Sequence, residues 1–347
     1  MFELLGTVEG WLAQNRSIAL ATVTRTWGSA PRREGAKMAV TDEMAMVGSV
    51  SGGCIEGTVI EEAVTILKTR QARLLHFGVA DETAWGVGLT CGGNVDVFVE
   101  PLDYSWWQTL QSVVDNNELA ISVTALSGSL TGEKLLLNSS GVVQYATTRL
   151  STEMTRQLCT AAQHAQQSQQ KTLDDQTVFI DVVAPKPHLI LIGGVHVAVP
   201  LQVIARQAGF RVSIVDPRKA FATQERFPDV ETILYNYPDK ALLQLGLDQN
   251  TYLAVLTHDP KIDDKALLTA LPAHIPYVGV LSSRRTHHKR VQRLQEAGLS
   301  DALIAQIRTP IGLNIGGRKP EEIAVAIMAE IIAVRNGIDM HVSSLAT

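Results

Sequence analysis

The stretch His188-Leu189-Ile190-Leu191-Ile192-Gly193-Gly194-Val195-His196 decides the fold. Its aliphatic run suits a strand buried on both faces, as in a parallel sheet. Two glycines then turn the chain. His196 to Gly209 reads as a helix ended by glycine, Phe210 to Val215 as the next strand, and Asp216 stands at its end. An acid about twenty residues beyond the glycines is the spacing of the dinucleotide fingerprint. That fingerprint asks for glycine at 193 and 195 and Gly or Ala at 198; the chain has Gly193, Val195 and Ala198. The middle glycine lets backbone reach a pyrophosphate, and a valine side chain obstructs that approach. A Rossmann-like fold follows; NAD(P) in its usual pose does not. Gly193, Gly194, His196 and Asp216 are the candidate residues of this turn.

Further along, strand and helix patterns alternate: Thr232 to Tyr235, Tyr252 to Thr257, a helix from Lys261 to Leu271, Tyr277 to Leu281, and a helix from about Arg285 to Ala297. That rhythm predicts a doubly wound parallel sheet. Ligands of such sheets bind at strand ends, which singles out Thr257-His258-Asp259 and Ser282-Ser283-Arg284-Arg285. Arg284 and Arg285 can hold a phosphate there; Lys289, Arg290 and Arg293 are expected on a solvated helix face. Pro320-Glu321-Glu322 starts the last helix, as proline and acids suit a first turn.

Toward the N-terminus, Ala184-Pro185-Lys186-Pro187 breaks regular structure and marks a domain boundary. The expected division is an α+β domain over 1–184, a Rossmann-like domain over 188–337 and a loose tail over 338–347. In the first domain, residues 2–14 read as a helix, Ser17 to Thr24 as a strand and Glu153 to Gln170 as a polar helix. Three loops carry the candidate chemistry. Gly28 to Lys37 combines Gly, Pro and the cations Arg32, Arg33 and Lys37, which suits phosphate; a solvated basic turn is the structural alternative. Gly48-Ser49-Val50-Ser51-Gly52-Gly53-Cys54-Ile55-Glu56-Gly57 leads into a helix, where amides can face an anion and a thiol gains thiolate character; a tight turn with a buried cysteine is its alternative. Gly88-Leu89-Thr90-Cys91-Gly92-Gly93 repeats the Cys-beside-glycine pattern. Two such loops at strand ends suggest one shared site. They do not suggest zinc, since two thiols without CxxC spacing are too few ligands.

The chain has 347 residues, 46% hydrophobic and 19% charged, which fits a folded two-domain protein. A net charge of -5 argues against non-specific nucleic-acid binding. No apolar run has the length of a membrane span, and the start lacks the pattern of a signal peptide. Three cysteines give no disulfide framework, so a reducing cytoplasm is expected.

Taken together, these motifs resemble the XdhC/CoxI family of molybdenum-hydroxylase accessory proteins. The matching segments are Gly28-Ser29-Ala30-Pro31, Gly35-Ala36-Lys37-Met38, Gly48 to Gly57, Gly88 to Gly93, Val97-Phe98-Val99-Glu100-Pro101, Val215-Asp216-Pro217-Arg218, Ser283-Arg284-Arg285 and Pro310-Ile311-Gly312-Leu313-Asn314-Ile315-Gly316. They run in order from about residue 20 to 333. A homo-oligomer is expected, and the resemblance implies that it transiently binds molybdenum cofactor, as molybdopterin or its nucleotide form. It implies help in placing a sulfido ligand, with a cysteine desulfurase as a further partner, and insertion into a xanthine dehydrogenase-like apoenzyme. It favours a chaperone over a turnover enzyme. Carried over by position, Ser51, Gly52, Gly53 and Cys54 become cofactor residues, with Cys91, Gly92 and Gly93 beside them; Cys54 and Cys91 are the candidate thiols. Arg32, Arg33, Lys37, Arg284 and Arg285 become phosphate ligands. Many members have Gly-Ala-Gly-His where this chain has Gly193-Gly194-Val195-His196. An NAD(P)-dependent oxidoreductase and a pure interaction scaffold are the competing readings.

Overall fold

The chain divides into two compact units, Met1–Pro185 and Lys186–Thr347. The computed structural model describes residues 1–78, 93–163, 165–173 and 176–338, the side chain of Arg284 excepted. The expected tail therefore lies outside the described residues, apart from Ile338.

In the first unit, α1 (Leu5–Ala13) leads into β1 (Ile18–Trp27), β2 (Lys37–Thr41), β3 (Met46–Gly48), α2 (Glu56–Thr69), β4 (Arg73–Phe77) and β5 (Asn94–Pro101). The strands form an antiparallel sheet of order β3-β2-β1-β5-β4. Ala19, Ala21 and Val23 of β1 and Val95, Val97 and Val99 of β5 pack with Val59, Ala63 and Ile66 of α2. These are alternate strand positions and i, i+4, i+7 helix positions, so each element buries one face. Next come α3 (Tyr104–Asp115), β6 (Ala120–Ala125), β7 (Lys134–Asn138), β8 (Val143–Ala146), α4 (Thr152–Ala162), β9 (Gln169–Leu173) and β10 (Gln176–Val183). A second antiparallel sheet has the order β8-β7-β6-β10-β9. Trp106 and Trp107 of α3 are buried with Leu4, Leu20 and Leu136.

Two buried ion pairs join the sheets. Lys37 on β2 meets Asp181 on β10 at 2.5 Å, and Lys134 on β7 meets Glu100 on β5 at 2.6 Å. Lys37, Asp181 and Glu100 border a water-sized cavity of about 10 Å3.

Two elements differ from expectation. The helix expected to reach Gln170 stops at Ala162, and Gln169–Leu173 is a strand paired with β10. Ser168 pins the segment there: its hydroxyl accepts the Val182 amide and donates to Asp181, both at 3.0 Å. Tertiary pairing overrides the helix preference of glutamine. The first strand runs to Trp27 rather than Thr24, because it passes through a β-bulge: Val23 faces Val97 and Arg25 faces Asp96, leaving Thr24 as the extra residue.

The second unit comprises β11 (His188–Ile192), α5 (Ala198–Gln207), β12 (Arg211–Val215), β13 (Thr232–Leu234), α6 (Pro238–Leu245), β14 (Thr251–Val255), α7 (Pro260–Ala270), β15 (Tyr277–Val280), α8 (Arg284–Glu296), α9 (Asp301–Ile304), β16 (Ile307–Arg308) and α10 (Pro320–Arg335). Its six-stranded parallel sheet has the order β13-β12-β11-β14-β15-β16. Counted within the unit this is 3-2-1-4-5-6, the Rossmann order. Leu201 and Ala205 of α5 pack with Ile327 and Ile331 of α10. Leu242 of α6 and Ala266 and Leu267 of α7 belong to a separate cluster with Ile190 and Val255. Alternate β11 residues feed the two clusters, Leu189 and Leu191 one and Ile190 and Ile192 the other, so both faces of the sheet are covered.

Candidate functional site

The Gly48–Gly57 stretch joins β3 to α2, and Glu56 is the first residue of that helix. Its carboxylate collects the loop. Oε1 accepts the Ser49 hydroxyl at 2.7 Å and the amides of Ser51 and Gly52, each at 2.9 Å. Oε2 accepts the Ser51 hydroxyl at 2.5 Å and the Gly53 amide at 2.8 Å. Ser51 Oγ also accepts the amides of Cys54 and Ile55. Gly52 and Gly53 take φ of 89° and 123°, which a side chain would resist. Burial opposes the charge on Glu56, but the hydroxyls of Ser51 and Ser49 and the amides outweigh it and hold the carboxyl down at about 2.

The loop's donors thus converge on an anion, and that anion is the chain's own carboxylate. This corrects the role of Ser51: it is buried, and its hydroxyl is committed to Glu56 and the helix entry. Gly52 and Gly53 are exposed, and nothing lies within 4 Å of where a Gly53 side chain would start. Cys54 is half-buried against the α2 core and forms no disulfide.

Two of the other loops touch this region's neighbour. A β-carbon on Gly52 would lie 3.8 Å from Pro31, and one on Gly93 would lie 2.8 Å from the Ser29 carbonyl. The Gly28–Pro31 segment thus abuts both Gly52 and Gly93. Cys91 and Gly92 lie outside the described residues. Of the three cations expected at phosphate in the Gly28–Lys37 loop, only Arg33 is exposed. Arg32 pairs with Glu3 at 3.2 Å. Lys37 is 1% exposed with its charge matched by Asp181. It is an internal strut and not a phosphate ligand, a second correction.

In the second unit the Rossmann turn is closed by its own acid. Asp216 is fully buried and accepts the Gly194 amide at 3.0 Å, together with the Arg218 amide and guanidinium at 2.8–2.9 Å. Burial again opposes the charge, and the Arg218 and Gly194 donors hold the carboxyl below its usual range. A β-carbon on Gly194 would overlap the Phe221 carbonyl, and Arg226 donates to the Gly194 carbonyl at 2.6 Å. This segment lies against the turn, whereas a pyrophosphate needs that backbone open. His196 is exposed beside it. At the other strand ends, Arg285 is exposed, while Arg290, expected on a solvated face, is buried. Its guanidinium pairs with Asp263 at 3.2 Å and donates to Ser282 at 3.0 Å. An arginine beginning at a polar helix reaches the core because the buried Asp263 receives it. The loop 309–318 follows the same plan as the others: the Gly312 amide and Tyr277 hydroxyl both donate to buried Glu330, at 2.9 and 2.6 Å.

The residues that sequence reasoning missed are thus acids, Glu56 and Glu330. Glu56 carried a readable signal: an acid in the first turn of a helix that follows a serine- and glycine-rich loop is placed to receive that loop's donors.

Comparison with known proteins finds a family match within each unit. The XdhC and CoxI family matches residues 11–78, and the XdhC Rossmann domain matches residues 189–331. A Bacillus subtilis protein, named as a probable subunit of xanthine dehydrogenase, is 27% identical over 333 residues, covering 95% of this chain and 97% of that one. The molybdenum cofactor insertion chaperone PaoD of Escherichia coli is 24% identical, covering 93% of this chain and 85% of its own length. A crystal structure of a xanthine dehydrogenase from Bacillus halodurans superposes over 98% of both chains with a TM-score of 0.76 at 24% identity, which shows a shared fold.

Proposed function

The chain belongs to the XdhC and CoxI family, and from that premise we propose that it is an accessory protein of a xanthine dehydrogenase-type molybdenum hydroxylase. It binds molybdenum cofactor as cargo, assists placement of the sulfido ligand with sulfur from a cysteine desulfurase, and inserts the cofactor into the apoenzyme. The names of the relatives support the insertion role. The observation that carries the reading is the setting of Cys54: a thiol directly after two exposed glycines, on a loop fixed by Glu56 and flanked by Pro31.

The cargo supplies a molybdenum held by a dithiolene and a terminal phosphate. A cysteine sulfur is a soft donor that suits the metal or its incoming sulfur. Gly52 and Gly53 leave room for close approach. The loop amides that would have taken the phosphate are committed to Glu56, so the phosphate falls to exposed cations outside the loop, Arg33 among them.

The test is transfer. Purified protein loaded with released molybdenum cofactor is mixed with an apo-hydroxylase, and bound pterin fluorescence and recovered hydroxylase activity are followed. Cys54→Ala is expected to reduce transfer at least about tenfold with an unchanged circular dichroism spectrum. Binding and transfer equal to wild type would remove Cys54 from the mechanism.

A further inference from the structure

The bulge at Thr24 has a functional consequence. Along β1, Ile18 to Thr24 is buried; immediately beyond the bulge Arg25 and Trp27 are exposed. A bulge re-aims the side chains that follow it, and bulges concentrate beside sites. Here it delivers Arg25 to the rim of an open groove of about 630 Å3, whose other wall is the edge strand β9. That volume is of the size that holds a nucleotide-sized ligand. Thr24 ties the walls together, accepting Gln170 Nε2 at 2.8 Å and donating to the Asp96 carbonyl at 3.3 Å.

The lining is polar and cationic. Arg25, Arg33 and Lys171 face it, against Glu34 as the one carboxylate among the described lining residues. Glu34 is itself engaged, accepting the Thr26 amide at 2.9 Å and its hydroxyl at 2.6 Å. Asp174 and Asp175, which follow β9, lie outside the described residues. The Arg25 guanidinium carbon sits 4.7 Å from the centre of the Trp27 ring, a cation–π contact that helps to place its donors. Arginine forks and a lysine suit a phosphate dianion; glutamine amides and threonine hydroxyls suit the donors and acceptors of a heterocycle.

We propose that this groove binds a phosphate monoester carried on a polar ring, with Arg25, Arg33 and Lys171 on the phosphate and Gln170 toward the ring. Its use for the phosphate end of molybdenum cofactor rests on the function proposed above; its affinity for a phosphate monoester does not.

Calorimetry on the full chain tests it, with GMP as the probe and guanosine as the control. GMP binding is expected, weakened about tenfold or more by Arg25→Ala and by Lys171→Ala, and weakened by added salt; guanosine is expected to bind far less. Both substitutions are at exposed positions, and thermal unfolding checks that each variant is folded. Absence of GMP binding at millimolar concentration, equal binding by guanosine, or binding unchanged in both folded variants would overturn the groove. Transfer to an apo-hydroxylase separates the two readings. If Arg25→Ala loses GMP yet transfers cofactor normally, the groove stands and its link to the cargo falls. If wild type binds GMP but never transfers cofactor, the groove stands and the proposed function falls.

Discussion

Glu56 does for the Ser49–Gly53 donors what a bound anion would do. Two hydroxyls and the amides of Ser51, Gly52 and Gly53 converge on one side chain. Glu56→Gln keeps the volume but replaces an acceptor oxygen by an NH2 that cannot accept. It is expected to lower stability by about 2 kcal/mol at neutral pH, read by urea unfolding. The folded carboxyl titrates at about 2 against 4.5 ordinarily, so its stabilisation is full above pH 4.5 and is lost as pH falls toward 2. The gap between wild type and variant should therefore narrow over that window; a gap constant with pH would contradict the assignment. Sequence reading found this loop from its glycines and serines. It did not find the internal partner, because nothing in a one-dimensional pattern says whether an amide cradle faces a ligand or the next helix. Lys37 was misread for the same reason: its counter-charge, Asp181, is far away in sequence.

At the scale of elements, the βαβ rhythm from His188 to Asp216 was legible because buried parallel strands read as unbroken apolar runs. The bulge in β1 and the short strand β9 were not, since one depends on register across a sheet and the other on a hairpin partner. The Rossmann turn shows the difference between a motif and its geometry. Val195 breaks the fingerprint, but the closure by Asp216, Arg226 and the Phe221 carbonyl is the deeper obstacle. Val195→Gly restores the missing glycine and is expected to leave NADH binding undetectable at millimolar concentration by calorimetry. Micromolar binding in that variant would show that the valine alone blocks the site.

At the scale of the whole molecule, the first unit depends on charge in its interior. Lys37–Asp181 and Lys134–Glu100 each span from one sheet to the other. Buried pairs add little net stability, but breaking one strands a charge. Lys37→Met is expected to cost about 3–5 kcal/mol in urea unfolding, and Lys37→Met with Asp181→Leu to regain most of it. A double variant as unstable as the single one would mean that Asp181 is not the group left stranded. Carboxylates recur in both units as the fasteners of glycine-rich turns: Glu56 at Ser49–Gly53, Asp216 at Gly194, Glu330 at Gly312. Turns fastened in this way take their shape when the chain folds, without waiting for a guest. The entropy of ordering them is already spent, so an arriving molecule meets a rigid surface and a departing one leaves no refolding behind it. For the hand-over of cofactor proposed above, a loop that stays the same loaded or empty keeps the exit barrier down to the contacts themselves.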